Sequence, residues 1–367
     1  MINKSMKLVL VSTPIGYIGS GKGGGVELTF SSLVKGLLAL GHEVKIIAPL
    51  GSILPSGCSS AQIKYLSGDD QPSWQHQKKN APVVIPPDGV LPRLLEEALS
   101  LGENADAVLN FSYDWLPIWL TPRVNARIFH LISMGAVSDV MKSLIGNISK
   151  ENHQRFAFHT YRQASDYELF KEPIVVGNGF NLESYNFNSG CGGPLGWAGR
   201  IAPEKGLEDA VKVAADLNER LVVWGLCEDQ NYAEKIEKMA SPGLIDWRGF
   251  LSTEQFQKEL GECRAFLNTP KWNEAYGNVV VEAMACGVPV ISYDRGGPGE
   301  LIQPGVTGWL VPPDDLDAMK KAVSKISEIN RTDCRAWVEK SASQDLFAKK
   351  IVNWIQNGLR LNDETFE

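Results

Sequence analysis

The sequence lacks the features of a membrane-spanning protein and of a metal-binding or disulfide-stapled one. No stretch approaches the run of about 18 apolar residues that a transmembrane helix requires. There is no Cys-x-x-Cys pair and no histidine at metal-ligand spacing from a cysteine. The six scattered cysteines indicate free thiols in a reducing, cytoplasmic environment; they are Cys58, Cys191, Cys227, Cys263, Cys286 and Cys334. The apolar run at residues 8–11 follows two lysines but stops at Pro14, so it predicts a buried strand and not an export signal.

The chain also lacks an excess of positive charge. It has 36 Lys and Arg against 43 Asp and Glu, a formal net charge of -7. Nucleic acid is therefore not an expected partner, and no basic amphipathic segment predicts stable membrane insertion. Hydrophobic residues make up 44% and charged residues 22%, as in ordinary globular proteins. At roughly 150 residues per domain, 367 residues predict two domains.

Short β-rich runs alternate with amphipathic helical patterns along the chain. This order predicts an α/β protein with parallel sheets and right-handed crossovers. Residues 52–92 have little periodicity and predict loops around one strand near 63–66. The pattern starts again after residue 170, which predicts two Rossmann-like domains. The other predicted strands are 7–12, 43–48, 107–110, 127–132, 174–176, 195–198, 221–224, 245–248, 265–268 and 288–292, with helices including 26–40, 207–218, 232–239 and 316–326.

Three short motifs resemble known ligand-binding signatures but do not establish the corresponding function. Residues 19–24 fit G-x-G-x-x-G, but the next strand ends without the carboxylate that a dinucleotide ribose needs. The same segment resembles a P-loop, with glycine at position 23 where magnesium binding requires a hydroxyl. Asp315 and Asp317 form a D-x-D pair that opens a helix, where an N-cap aspartate is expected anyway.

The glycines at the start of the first helix still carry a physical meaning. Gly23, Gly24 and Gly25 allow backbone amides at a helix N-terminus to approach an anion closely. A simple tight turn is the alternative interpretation.

The second half contains the residues best suited to chemistry. Arg200 and Lys205 lie in a glycine-containing loop between a strand and a helix, and two such cations suit a diphosphate. Glu274 and Glu282 form an E-x7-E pair, the first before a helix and the second about one turn inside it. The amides of Gly277, Asn278 and Val279 would form the N-terminus of that helix and face an anion.

These motifs, in this order, resemble the retaining glycosyltransferases of family 4. The resemblance rests on residues 23–27 with 41–44, 178–181, 199–206, the E-x7-E pair and 296–300. It implies the GT-B fold, in which two Rossmann-like domains face each other across a cleft. Residues 1–171 would bind the acceptor and residues 172–345 the nucleotide sugar. Residues 346–367 would form a C-terminal helix that crosses back to the first domain.

The resemblance also implies a role for individual residues. Arg200 and Lys205 would hold the donor diphosphate and stabilise the leaving UDP, with Gly24 and Gly25 near the same phosphate. Glu274 would contact the transferred sugar and Glu282 the ribose hydroxyls. The backbone around Arg248 would contact the base. Members of the family retain the anomeric configuration, and neither an essential metal nor a permanently bound cofactor is expected.

One departure from the family concerns the acceptor proton. Many members carry a histidine on the loop that reads Ser133, Met134 and Gly135 in this chain. His130 lies earlier, within a predicted strand, and we expect it to be a packed core residue. Another side chain or the β-phosphate would then accept the proton.

The predicted acceptor residues are Tyr17, Tyr113, Asp114, Trp115 and Met134, which lie at predicted strand ends. The front section of the chain is similar to the cyanobacterial UDP-glucose:tetrahydrobiopterin glucosyltransferases. In that interpretation Tyr113 or Trp115 stacks on the pterin, and Asp114 accepts hydrogen bonds from its amino-pyrimidine edge. Alternatively, the two aromatic residues belong to the core and Asp114 caps a turn.

The expected function is transfer of a hexose, glucose in particular, from a UDP-sugar to a hydroxyl of tetrahydrobiopterin, giving an α-glucoside. A transferase acting on a lipid or polysaccharide is the alternative within the family. A non-catalytic nucleotide-sugar binder is an alternative of another class, but such a protein would be expected to lack Glu274 or the Arg200 and Lys205 pair. The sequence does not determine the oligomeric state.

Overall fold

The computed structural model describes residues 5–20, 24–54, 57–190 and 192–363, with the side chains of residues 362 and 363 left aside. The chain divides into two compact units. The first comprises Met1–Phe180 and Gln344–Glu367, and the second comprises Asn181–Ser343.

The first unit contains a parallel sheet with the strand order β3-β2-β1-β4-β5-β6-β7. β1, β4 and β5 are almost entirely buried, which explains why their residues are mostly apolar. Leu8 of β1 pairs with Val44 on one side and with Ala107 on the other. The strands are β1 (Lys7–Val11), β2 (Glu43–Pro49), β3 (Gln62–Leu66), β4 (Ala107–Asn110), β5 (Ile128–Ile132), β6 (Phe156–Phe158) and β7 (Ile174–Val175).

Helices cover this sheet, and the last helix of the chain is one of them. They are α1 (Gly25–Ala39), α2 (Val90–Gly102), α3 (Trp115–Leu120), α4 (Asp139–Asn152), α5 (Tyr161–Ser165) and, from the C-terminus, α13 (Gln344–Asp363). A Cβ atom on Gly36 of α1 would lie 2.7 Å from the Cβ of Ala348, so α1 and α13 pack in close contact. Phe347, Ile351 and Ile355 of α13 are buried in the same core.

The second unit contains a parallel sheet with the order β10-β9-β8-β11-β12-β13. Its strands are β8 (Leu195–Ala198), β9 (Leu221–Trp224), β10 (Ile245–Gly249), β11 (Ala265–Asn268), β12 (Val290–Tyr293) and β13 (Gly308–Val311). The helices around it are α6 (Leu207–Leu217), α7 (Gln230–Glu237), α8 (Thr253–Gly261), α9 (Asn278–Ala285), α10 (Pro298–Leu301), α11 (Leu316–Ser324) and α12 (Arg331–Ser341). Asp315 caps α11 by accepting from the Ala318 amide at 2.8 Å, as predicted for the D-x-D pair.

The structure confirms the two Rossmann-like domains and several strands residue for residue, and it adds elements that the sequence pattern did not indicate. β6 and β13 were not predicted. The expected strand at 174–176 is β7, which pairs with β6 in the first sheet and does not begin the second domain. The first unit accordingly extends to Phe180, beyond the expected boundary at 171/172, and α13 starts at Gln344. The five cysteines among the described residues are free thiols, and Cys191 lies outside those residues.

Candidate functional site

In each sheet the strand order reverses at the central pair, β1 and β4 in the first unit and β8 and β11 in the second. Chains leaving such a pair in opposite directions open a crevice at the carboxyl ends of the strands, where α/β proteins bind ligands. β8 ends at Ala198, just before Arg200 and Lys205, and β11 ends at Asn268, just before the loop that carries Glu274. The predicted cations and the first carboxylate therefore meet at one edge of the second sheet.

Lys205 and Glu274 form a short ion pair at this edge. The ammonium of Lys205 lies 2.5 Å from Oε1 of Glu274, and the indole Nε1 of Trp272 donates to the same oxygen at 2.8 Å. Burial acts to raise the pKa of Glu274, but the charge and hydrogen bond of Lys205 outweigh it, so this pKa lies below its ordinary value. Glu274 is thus a carboxylate at neutral pH and does not serve as a proton donor.

Arg200 is held between two other carboxylates. Its Nη1 lies 2.5 Å from Oε2 of Glu228, and its Nη2 lies 2.8 Å from Oε1 of Glu204. Both cations at this edge are therefore balanced by carboxylates of the chain itself. An anionic ligand would have to share or displace these partners, and it would find the guanidinium and the ammonium already positioned.

The two loops are tied together through Gly206 and Thr269. Gly206 has φ of 66°, and a Cβ atom there would lie 2.0 Å from the Thr269 carbonyl oxygen. Thr269 Oγ1 donates to the Gly206 carbonyl at 2.8 Å and accepts from the indole of Trp197 at 3.1 Å. Only glycine permits this approach, which brings Lys205 to the Glu274 loop.

Gly296 and Gly297, singled out in the sequence, support the Glu274 loop from the other side. The Gly297 amide donates to the Glu274 carbonyl at 2.7 Å. A Cβ atom on Gly297 would lie 2.5 Å from the carbonyl oxygen of Tyr276. These glycines are required by packing against the loop.

An ionic network that the sequence did not indicate, built on the buried Asp209, anchors the start of the same loop. Lys271 forms ion pairs with Asp209 and with Asp314, the latter at 2.8 Å. Tyr293 donates to Asp209 at 2.6 Å, and Arg295 pairs with Asp314 at 2.8 Å. Tyr293 and Asp209 are 84 positions apart, so no local pattern could reveal the contact.

Glu282 lies deeper, in the second turn of α9, whose N-terminal residues include Asn278 and Val279. Gly277 is the N-cap, with φ of 102°. Glu282 is only 7% exposed, and the hydroxyl of Tyr185 donates to its Oε1 at 3.0 Å. Burial raises the pKa of Glu282 to about 7, although the hydrogen bond from Tyr185 opposes the rise.

Arg248 is placed apart from Arg200 and Lys205. It lies on β10, two strands away from β8, and its guanidinium pairs with Asp246 at 2.9 Å. It makes no contact with either cation among the described residues.

In the first unit, Tyr113 and Met134 are core residues. They belong to one buried cluster, in which Tyr113 is 7% exposed. The Tyr113 hydroxyl donates to the Gly135 carbonyl at 3.3 Å and accepts from Tyr167 at 3.0 Å. Burial raises the pKa of Tyr113 well above its ordinary value. Tyr113 therefore lies in the hydrophobic core of the first unit.

Asp114 caps α3 and is 1% exposed. Its Oδ1 accepts from the Leu116 amide at 3.4 Å. Burial raises its pKa to about 6, against the opposing hydrogen bonds from the Leu116 and Trp115 amides. For Tyr113 and Asp114 the structure thus matches the alternative interpretation, with a core aromatic residue followed by a capping carboxylate.

Trp115 and Tyr17 are more accessible. Trp115 is partly buried and stacks on Trp119 with ring centres 5.3 Å apart. The guanidinium of Arg123 lies over the Trp119 ring, 4.2 Å from its centre. Tyr17 is 41% exposed.

His130 is fully buried, as expected. Its Nδ1 faces the amide nitrogen of Asn110 at 3.1 Å, and its Nε2 faces the hydroxyl of Thr121 at 2.6 Å. An amide nitrogen can only donate, so Nδ1 is the acceptor and the ring is neutral. The histidine has no access to a reacting group.

Gly24 and Gly25 form the start of α1. Gly24 is the N-cap, with φ of 56°. Glu27, in the first turn, accepts from the Gly19 amide at 2.7 Å and so orders the preceding turn. Gly23, the third glycine of the predicted anion site, lies outside the described residues.

Across the described ranges, no three His, Cys, Asp or Glu side chains cluster so as to hold a metal ion. Within those ranges there is also no helix both long and apolar enough to cross a membrane.

Part of the chain, from β8 into α13, resembles a known family in sequence. Residues 195–360 match the family model described as glycosyl transferases group 1. An uncharacterized glycosyltransferase of Methanocaldococcus jannaschii is 23% identical over 89% of this chain and 90% of its own length. A second one from the same organism is 27% identical, over about half of each chain, 51% in both cases. The 2-deoxystreptamine N-acetyl-D-glucosaminyltransferase of Niallia circulans is 31% identical over 35% of this chain and 34% of its own.

Solved structures share the whole fold at low sequence identity. AviGT4, a glycosyltransferase involved in avilamycin A biosynthesis, superposes with a TM-score of 0.73 and 18% identity over 97% of this chain and 98% of its own. Anabaena HepE in complex with UDP and glucose gives a TM-score of 0.74 and 16% identity over 96% and 99%. The chain therefore has the GT-B fold of glycosyltransferases, and its residues 195–360 match the glycosyl transferases group 1 family model.

Proposed function

We propose that this protein is a retaining glycosyltransferase that moves glucose from UDP-glucose to a hydroxyl of a small acceptor. The observation that carries the proposal is the arrangement of Arg200, Lys205 and Glu274 on two loops at the strand-order reversal of the second sheet. Two positioned cations beside one ionised carboxylate suit a sugar diphosphate, because phosphate and sugar can be bound at adjacent points.

The cations supply the main catalytic effect in this proposal. When the bond between the anomeric carbon and the β-phosphate breaks, negative charge develops on the leaving UDP. Arg200 and Lys205 stabilise that charge more strongly in the transition state than in the bound donor. They take the charge-neutralising role that a metal ion has in other transferases. The Anabaena HepE structures, which hold UDP and UDP-glucose on the same fold, support a UDP-sugar as the donor.

Glu274 would bind hydroxyls of the transferred sugar. Its pKa is held down, so it stays ionised and accepts hydrogen bonds from sugar hydroxyls without donating a proton. The acceptor hydroxyl attacks the face that the phosphate leaves, which retains the configuration, and its proton passes to a β-phosphate oxygen. His130 is buried and neutral, which agrees with a proton acceptor other than this histidine.

Tetrahydrobiopterin is the acceptor that we propose. Tyr113 is core, so Trp115 and Tyr17 are the aromatic residues left for contact with a flat ring. The free thiols favour the cytoplasm, where a small polar acceptor of this kind would be met.

The test is incubation of the protein with UDP-glucose and tetrahydrobiopterin, followed by detection of UDP and of a product heavier by one hexose. Formation of an α-glucoside would support both donor and acceptor. Rapid glycosylation of a lipid or polysaccharide, with the pterin untouched, would replace the acceptor. Tight UDP binding without transfer to any acceptor would indicate a non-catalytic binder.

Two carboxylate variants test the assignment within the donor site. Glu274→Gln should lower turnover far more than affinity for UDP, because UDP lacks the sugar that Glu274 contacts. Glu282→Gln should weaken UDP binding itself if Glu282 contacts the ribose. Glu219→Gln, which alters an ion pair with Arg264 outside the site, is the control. The reverse pattern would exchange the two roles.

A further inference from the structure

Tyr185 is a buried residue of the second unit whose hydroxyl contacts Glu282. Its side chain is 3% exposed, and its hydroxyl donates to Glu282 Oε1 at 3.0 Å. The other oxygen of Glu282, Oε2, has no hydrogen-bond partner among the described residues. The carboxylate is therefore held at one oxygen and open at the other.

Arg335 of α12 fixes the position of Tyr185. Its Nη1 donates to the carbonyl oxygens of Tyr185 at 2.7 Å and of Ala285 at 2.8 Å, the latter at the end of α9. Its Nη2 donates to the Leu182 carbonyl at 3.3 Å. One guanidinium thus connects the 182–185 segment to the helix that carries Glu282, so the tyrosine hydroxyl and the carboxylate cannot drift apart easily.

We propose that Tyr185 is a positioning residue for nucleotide binding: it orients Glu282 so that Oε2 is free to accept hydrogen bonds from the vicinal hydroxyls of a ribose. This role rests on the proposed function, since it requires a nucleotide at the second sheet. A phenol hydroxyl can donate one hydrogen bond, and here it donates to the carboxylate of Glu282. Tyr185 therefore favours the ionised carboxylate, which is the form that can accept from two hydroxyls.

The surroundings of Glu282 contain little else that would keep it ionised. Burial raises its pKa to about 7, and the bond from Tyr185 is the interaction that opposes this rise. Several titratable or charged groups lie on the elements packed around it. They are Cys286 at the C-cap of α9, Arg331, Asp333, Cys334, Arg335, Glu339 and Lys340 on α12, Glu254, Lys258 and Glu259 on α8, Glu300 on α10 and Tyr293 on β12. Without the tyrosine hydroxyl, Glu282 would hold its proton to a higher pH.

The experiment is calorimetric titration with UDP from pH 6 to pH 9. UDP affinity of the unaltered protein should rise with pH as Glu282 ionises. Tyr185→Phe should bind UDP about tenfold more weakly near pH 7, and its affinity profile should move to higher pH. Glu282→Gln should remove this pH dependence, and the double variant should match Glu282→Gln because the tyrosine acts only through the carboxylate.

Tyr232→Phe is a matched control. Tyr232 is also a buried tyrosine of the second unit, and its hydroxyl bonds to a carboxylate, that of Glu208, outside the site. It should leave UDP affinity and its pH profile unchanged.

The outcomes separate the two proposals. Unchanged affinity and pH profile in Tyr185→Phe would overturn the role of Tyr185, as would an equal loss at every pH, which indicates a packing effect. Failure of the unaltered protein to bind UDP at any pH would overturn the proposed function and this role with it.

Discussion

Arg200 and Lys205 are cations whose positions are already constrained by carboxylates of the chain. Arg200 is paired with Glu204 and Glu228, and Lys205 is paired with Glu274, at 2.5 to 2.8 Å. Such pairs limit the number of side-chain conformations, so less conformational entropy is lost when a ligand binds. They also compete with the ligand, which reduces the net gain from each contact. The balance is favourable when the phosphate makes bidentate contacts that one carboxylate oxygen does not.

At the residue scale, Arg200→Ala should weaken UDP binding and lower kcat/KM together. A charge-assisted bidentate contact contributes about 2 kcal/mol after the competing carboxylates are considered, which corresponds to roughly 30-fold. Calorimetry with UDP and initial rates with UDP-glucose would measure both effects. Arg264→Ala is the matched control, because Arg264 has a similar side-chain exposure, 24% against 20%, and pairs with Glu219 outside the site. Equal UDP affinity in the two variants would contradict the assignment of Arg200.

At the scale of the structural element, the loop between β11 and α9 is supported from three directions. Gly206 contacts its start, the Lys271 network anchors it to α6 and β12, and Gly297 packs on its middle. Loops that carry catalytic residues are precise only when the surrounding elements determine their backbone. This support explains how a long loop can keep Glu274 within ion-pair distance of Lys205.

Gly297→Ala should therefore impair catalysis more than folding. Gly297 has φ of -52°, which alanine adopts readily, so the effect comes from the methyl group alone. That group would lie 2.5 to 2.8 Å from the Ala275 and Tyr276 backbone and would displace the Glu274 loop. A displacement near 1 Å can cost about 100-fold in rate, while overpacking costs about 1–3 kcal/mol in stability.

Turnover of UDP-glucose and thermal unfolding together test this effect. Gly192→Ala is the control, because a Cβ atom there would meet nothing within 4 Å. Full activity of Gly297→Ala would show that the loop does not depend on this contact.

At the scale of the whole molecule, the first unit contains buried neutral histidines that make its stability depend on pH. Burial lowers the pKa of His130 to about 3, helped by the charge of Arg155, and lowers that of His159 to about 4. In the unfolded chain a histidine has a pKa of about 6.5. Below that pH the unfolded state binds protons that the folded state does not, so the free energy of unfolding falls as pH falls towards 4 and then 3.

Each of these histidines should contribute up to about 1.4 kcal/mol of destabilisation per pH unit in this window. Urea unfolding measured from pH 7 to pH 4.5 should show His130→Gln to be less stable at pH 7 but less sensitive to acid. His76→Gln, at an exposed histidine, is the control and should keep the acid sensitivity. The same acid slope in His130→Gln and the unaltered protein would contradict this explanation.

The sequence by itself determined much of the architecture and located the loops that carry Arg200, Lys205 and Glu274. The strands at 107–110, 195–198, 221–224 and 265–268 were predicted to the residue, because strands buried on both faces are short apolar runs between turn residues. Arg200, Lys205 and Glu274 could be found because they follow such strands directly. The capping role of Asp315 was also local, since an N-cap and its amide lie three residues apart.

Tertiary structure decided what depends on residues far apart in the chain. β6 has three residues, too short for a periodic signal, and only pairing in the sheet defines it. β7 was predicted as a strand, but only its pairing with β6 assigned it to the first sheet. The contact between Tyr185 and Glu282 spans 97 positions. Glycine is required at positions 296 and 297 because both pack against the Glu274 loop, which the local sequence does not indicate. Tyr113 was predicted to contact a ligand because of its position at a strand end, whereas its burial depends on the packing of separate elements. Hydrophobic pattern reports local burial along one element, whereas a side chain's partners are set by how separate elements pack.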